Sequence, residues 1–174
     1  LVTIGPIVIS ERLRGTPLAS VQTICRSHLQ LTHPDEYLAK ACDDYVCLLD
    51  ALLFRSETEQ AQDLIAAWTK RSIGMAMPEL LGKVYSDNDV VGRLFSSACY
   101  ISDSWPSVLY LAYKYANKPE AGLLANTNLG GDNVHRGFVL GSILGMASNS
   151  TPNSLYDDLH DKAQIDTEIE ALLS

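Results

Sequence analysis

Tyr37, Leu38, Ala41, Tyr45, Leu48, Leu49 and Leu52 recur at helical spacing in one unbroken run. A helix gathers such residues into a wide apolar stripe, whereas a strand scatters them over both faces. The run predicts a long helix from about Asp35 to Phe54. Thr32-His33-Pro34 closes the segment before it, because a residue preceding proline avoids the α region. In that earlier segment Val21, Ile24, Cys25, Leu29 and Leu31 repeat at near-helical spacing, and Thr16-Pro17 reads as a capping hydroxyl with proline at the first helical position.

The same pattern continues along the chain. A third helix is expected from about Thr58 to Ser72, with Leu64, Ile65, Ala67 and Trp68 inward, acids at its start, and Lys70 and Arg71 at its end. Gly74 to Pro78 interrupts. Ser86-Asp87-Asn88-Asp89 is a cluster of capping residues before an apolar segment, Val90 to Ile101. Asp103-Ser104-Trp105-Pro106 reads as a further cap, leading into Val108, Leu109, Leu111, Ala112 and Tyr115. Asn117-Lys118-Pro119 is a turn before a short helix to about Asn128. A small-residue helix runs from about Val134 to Ala147, Asn149 to Asn153 forms a polar linker, and Ile165, Ile169 and Leu172 mark the last helix or two. The apolar opening, Val2 to Ile9, has strand-like composition, but Gly5-Pro6 within it favours a buried helix start. No hairpin dipeptide separates alternating runs and no internal repeat is present. The fold class is therefore all-α, a compact helical bundle.

A net charge of −8 excludes a general nucleic-acid binder, which needs a basic face. The longest apolar stretch, Phe138 to Ala147, is about half of what crosses a bilayer, so no membrane partner is expected. Cys25, Cys42, Cys47 and Cys99 form no Cys-x-x-Cys pair and no zinc spacing. They read as buried thiols of a reducing, cytoplasmic compartment, with a disulfide between two of them left open. The abrupt apolar opening without an initiating Met suggests an excised segment.

The richest segment for chemistry is Asn126 to Gly137. Gly130 and Gly131 permit a tight turn, and Asp132 follows at a helix entrance, where its carboxylate serves as helix cap, metal ligand or water-orienting group. Oxygen-rich surroundings of this kind suit Mg²⁺ or Ca²⁺ better than zinc. Gly137, Gly141, Ser142 and Gly145 then line one side of the following helix for close packing. His33, Asp103 and the aromatic set Tyr100, Trp105, Tyr110 and Tyr113 are weaker candidates, with core or capping roles favoured.

A Gly-Gly-Asp turn leading into a helix of small and aliphatic residues resembles the C-terminal signature of the ADP-ribosylglycohydrolase family, whose superfamily includes the J-type crystallins. Leu31-Thr32-His33-Pro34, Tyr100 to Ser104 through Leu111-Ala112, and Thr151-Pro152 with Leu159 resemble neighbouring family segments in order. The resemblance covers nearly the whole chain and reads residues 1–174 as the C-terminal half of the family domain, a partial domain. It implies Mg²⁺ as cofactor, with Asp132 as the metal ligand of this half, and ADP-ribose or an ADP-ribosylated substrate bound by Gly130, Gly131, Asn133, His135 and Arg136. The family's next two ligand positions fall on Val134, which cannot ligate a cation, and His135, a poor magnesium ligand. Asp43-Asp44 lies mid-helix, outside the family's Thr-Asp-Asp pattern. The implied activity is hydrolysis of the glycosidic bond of ADP-ribose adducts in a parent protein, with a depleted metal site here. The alternative is a non-catalytic crystallin-like or ADP-ribose-binding module. A complementary N-terminal half, or self-association, is the expected partner.

Overall fold

The apolar opening is a helix. α1 spans Ile4–Leu13, and Pro6 falls in its first turn, where an absent N–H breaks no helical bond. The structure is a computed structural model that describes residues 1–74, 83–148 and 153–173. α2 spans Leu18–Gln30 and buries Val21, Cys25 and Leu29, while Ile24 and Leu31 face solvent. Its start differs from the expected one. Pro17 is the N-cap residue, with no side-chain cap bond, because the Thr16 hydroxyl donates to the Glu11 carboxylate at 2.8 Å instead.

α3 spans Glu36–Leu53. Asp35 caps it by accepting from the Leu38 N–H at 2.8 Å. Ala41, Tyr45, Leu48, Leu49 and Leu52 are buried as the stripe requires, but Tyr37 is 80% exposed. Its phase is right, yet it sits in the first turn, beyond the neighbours that cover the rest. α4 spans Ala61–Ile73, starting later than expected. Glu59 is spent on a turn, accepting from the Ser56 N–H at 2.8 Å, so Gln60 becomes the N-cap. Ile65 is buried, Leu64 and Trp68 pack partly against the core, and Ala67 faces out. Gly74 ends α4 at φ +74°, a left-handed stop suited to glycine. Residues 75–82 and 149–152, which hold most of the Gly74–Pro78 break and of the polar linker, lie outside the described residues.

α5 is a single turn, Asp87–Val90, with the reciprocal Ser86–Asp89 capping box that its polar cluster announces. Val91 to Tyr100 is irregular, apart from one bridge between Val91 and Phe95. α6 spans Ile101–Lys114, so Pro106 lies inside the helix, not near its first turn. α7 (Pro119–Asn128) has proline at its first position. α8 spans Asn133–Ala147, α9 Asn153–Asp157 and α10 Lys162–Leu173.

The arrangement is all-α, with no sheet among the described residues. α3 is the central rod, touching α1, α2, α4, α6 and α8. The core joins Ile4 and Val8 to Tyr45, Leu48, Leu49, Leu109, Leu111, Leu140, Ile143 and Leu144, and Tyr45 meets Trp105 edge-on at 5.9 Å. Glycines bring α7 and α8 together. A methyl group on Gly137 would lie 2.7 Å from the Asn126 amide, and one on Gly122 would lie 2.8 Å from Leu144 and Tyr115. Gly141 makes only ordinary contact with Leu123, and Gly145 faces open space, so the expected small-residue packing holds along part of α8. No described helix is long and apolar enough to cross a membrane.

Candidate functional site

The turn between α7 and α8 is built by backbone demands. Gly130 and Gly131 both take φ +65°, a region that L side chains rarely adopt. Gly131 also has no room for a side chain, since a Cβ there would lie 2.2 Å from the Ser97 carbonyl oxygen. The next residue continues this contact, the Asp132 N–H donating to that carbonyl at 2.9 Å. The irregular segment before α6 is thus the platform on which the turn rests.

Asp132 is the N-cap residue of α8 by position, but its side chain makes no capping bond. Instead Oδ1 lies 2.6 Å from His135 Nδ1. Both side chains reach the surface, His135 more than Asp132. Val134, between them, is 76% exposed.

Arg136 points the other way. It is only 3% exposed, and its Nε donates to Asn126 Oδ1 at 2.6 Å while Nη2 donates to the Gly130 carbonyl at 2.8 Å. Among the described residues it forms no salt bridge. Burial lowers its pKa, opposed by the charge of Asp132. Asn126 also donates to the Asn133 carbonyl at 2.8 Å, and Asn133 returns a bond to the Thr127 carbonyl at 3.0 Å. Arg136 and Asn126 therefore clasp the turn from behind, leaving Asp132, Val134 and His135 as its outward side chains. Gly130, Gly131, Asp132, Asn133, His135 and Arg136 all belong to this one feature. Sequence reasoning gave no role to Asn126 or Ser97.

The other candidates are dispersed. Asp43 is held by Arg26 and Asp44 accepts from Ser72 at 2.6 Å, so the acid pair is engaged by two different neighbours. Trp105 and Tyr110 are buried, Tyr113 is half-buried and Tyr100 is exposed. Trp105 donates to Ser72 at 2.9 Å. His33 contacts the Thr32 hydroxyl just beyond α2, and Asp103 sits in the first turn of α6. A cavity of about 740 Å³ lined by Leu52, Arg55, Glu59, Gln60, Asn117 and Ser148 opens at the C-terminal end of α8, the opposite end from the turn.

Asp87, which sequence reading placed only as a cap, gathers donors from three different side chains. Lys114 Nζ at 2.6 Å, Tyr110 at 2.8 Å and Tyr115 at 2.6 Å all donate to it. Burial alone would raise its pKa, but the three donors and the Lys114 charge outweigh that and lower it.

The family model described as ADP-ribosylglycohydrolase matches residues 1–174. The chain belongs to the ADP-ribosylglycohydrolase family. Neither curated proteins nor solved structures gave a match. In an ADP-ribosylglycohydrolase family member the Gly-Gly-Asp turn is the place to test for a divalent cation. Mg²⁺ takes about six oxygen ligands in a near-octahedral shell. The turn offers the Asp132 carboxylate, a valine and an imidazole already on that carboxylate, which does not fit such a shell. Among the described residues no group of three or more His, Cys, Asp or Glu side chains stands together to hold a metal.

Proposed function

We propose that this chain supplies one wall of a pocket for ADP-ribose in a hydrolase that cleaves the glycosidic bond between ADP-ribose and its acceptor. The observation that supports it best is the clasped turn: a glycine backbone fixed by Arg136, Asn126 and Ser97 that presents Asp132 and His135 together at the surface. Gly130, Gly131 and Asn133 give the ligand close access to backbone, His135 offers an imidazole edge, and Arg136 contributes by holding the turn and lending positive charge from beneath it. Asp132 accepts from the imidazole and orients it. The reaction adds water across the anomeric carbon–acceptor bond, and the groups that activate that water are left to the assembled protein, with a complementary chain or second copy as partner. Val134 and Phe138, exposed beside the turn, suit such a partner. Cytoplasmic placement goes with this reading, since Cys25 and Cys42 are buried free thiols.

A second reading, a crystallin-like or ADP-ribose-binding module without turnover, draws on the single carboxylate of the turn. Calorimetric titration with ADP-ribose separates the possibilities when paired with a hydrolysis assay of the assembled protein. His135→Ala is expected to weaken binding about tenfold, or about 1.4 kcal/mol, and Asp132→Ala to abolish hydrolysis. Binding without any turnover favours the module. Titrations indifferent to both substitutions remove the turn from the ligand site altogether.

A further inference from the structure

We infer that the His135 imidazole has taken the place of a divalent cation as the counter-group of Asp132, so that this turn holds no metal ion. The inference stands on the family assignment and the geometry of the turn, independent of whether ADP-ribose is the ligand.

An ionised carboxylate only accepts hydrogen bonds. The 2.6 Å separation between Asp132 Oδ1 and His135 Nδ1 therefore places the proton on Nδ1. The spacing makes this contact natural, because residues three apart at a helix start share a face. Of the two residues between them, Asn133 turns its amide back to donate to the Thr127 carbonyl at 3.0 Å, and Val134, turned to solvent, brings no metal donor. The rest of the turn also disfavours a cation. The Gly130 carbonyl, two residues before Asp132, already accepts from the Arg136 guanidinium at 2.8 Å. That charge is buried beneath the turn and already interacts with the Asp132 carboxylate, so it would repel an added dication. The carboxylate thus has a protein partner in front and a fixed positive charge behind.

Two measurements decide the matter, and neither uses ADP-ribose. Long-range nitrogen–proton NMR of the histidine rings, assigned with His135→Gln, reads which ring nitrogen carries the hydrogen. Protonation at Nδ1 of His135 is expected, and a ring protonated on Nε2 alone overturns the inference. Titration with Mn²⁺, followed by water-proton relaxation, reads metal binding directly. Wild type and Asp132→Asn are expected to give the same non-saturating response. Saturable binding in the wild type that Asp132→Asn abolishes overturns the inference equally. If ADP-ribose fails to bind while both expected results are obtained, the proposed function falls and the replaced counter-group stands.

Discussion

Gly130 and Gly131 share a φ of +65° but not an environment. Alanine at Gly130 meets nothing within 4 Å, so only the left-handed backbone opposes it, at about 1 kcal/mol. Alanine at Gly131 adds a collision with the Ser97 carbonyl and is expected to destabilise by about 3 kcal/mol or more. Urea denaturation of the two variants checks the order, and equal losses would mean that Ser97 does not abut the turn. The glycines themselves were legible, since adjacent glycines before a capping acid mark a turn. Their inequality was not, because it depends on a segment remote in sequence. Arg136 shows the opposite case. A basic residue in a polar motif drew attention as a ligand contact, while its phase places it with Leu140, Ile143 and Ala147 on the buried face of α8. Its burial was readable from periodicity alone.

At the scale of elements, the long helices were readable because their apolar stripes are wide, and α3 begins and ends within a residue of its expected limits. Two starts shifted because a polar side chain near the expected cap was drawn to another partner. Thr16 is drawn to Glu11, and Glu59 is drawn to Ser56. Such contests depend on which partner the folded chain brings near. The Asp87 cluster was hidden likewise, since nothing local connects a capping acid to Tyr110, Lys114 and Tyr115. These bonds tie the one-turn α5 to α6. With the folded-state pKa of Asp87 below the usual carboxylate value near 4, its contribution is complete above that value and fades as pH falls through the depressed one. Asp87→Asn is therefore expected to lose on the order of 2 kcal/mol at neutral pH and to show a shallower loss of stability below about pH 4. Urea midpoints measured against pH for both proteins test this. Parallel acid limbs would contradict the assignment.

For the whole molecule, a core organised around α3 sorts the cysteines by depth. Burial, reinforced by neighbouring negative charge, pushes the Cys25 thiol up to about 12 and Cys42 up to about 11, while Cys99 is exposed. The reactive species is the thiolate. A thiol reagent added to native protein is expected to modify Cys99 first and to leave Cys25 and Cys42 untouched until unfolding, as read by mass spectrometry of timed samples. Early labelling of Cys25 would mean that the α1–α2–α3 packing opens readily. The all-helical architecture was thus within reach of the sequence, while the docking of the Ser97 segment against the α7–α8 turn required the third dimension. The clasp beneath that turn carries a consequence for recognition. A loop whose backbone is stitched from below by a guanidinium and an amide loses little conformational freedom when something binds it. Selectivity at such a surface comes from shape matching on a preset template, and a poorly matched ligand cannot be rescued by rearrangement of the loop.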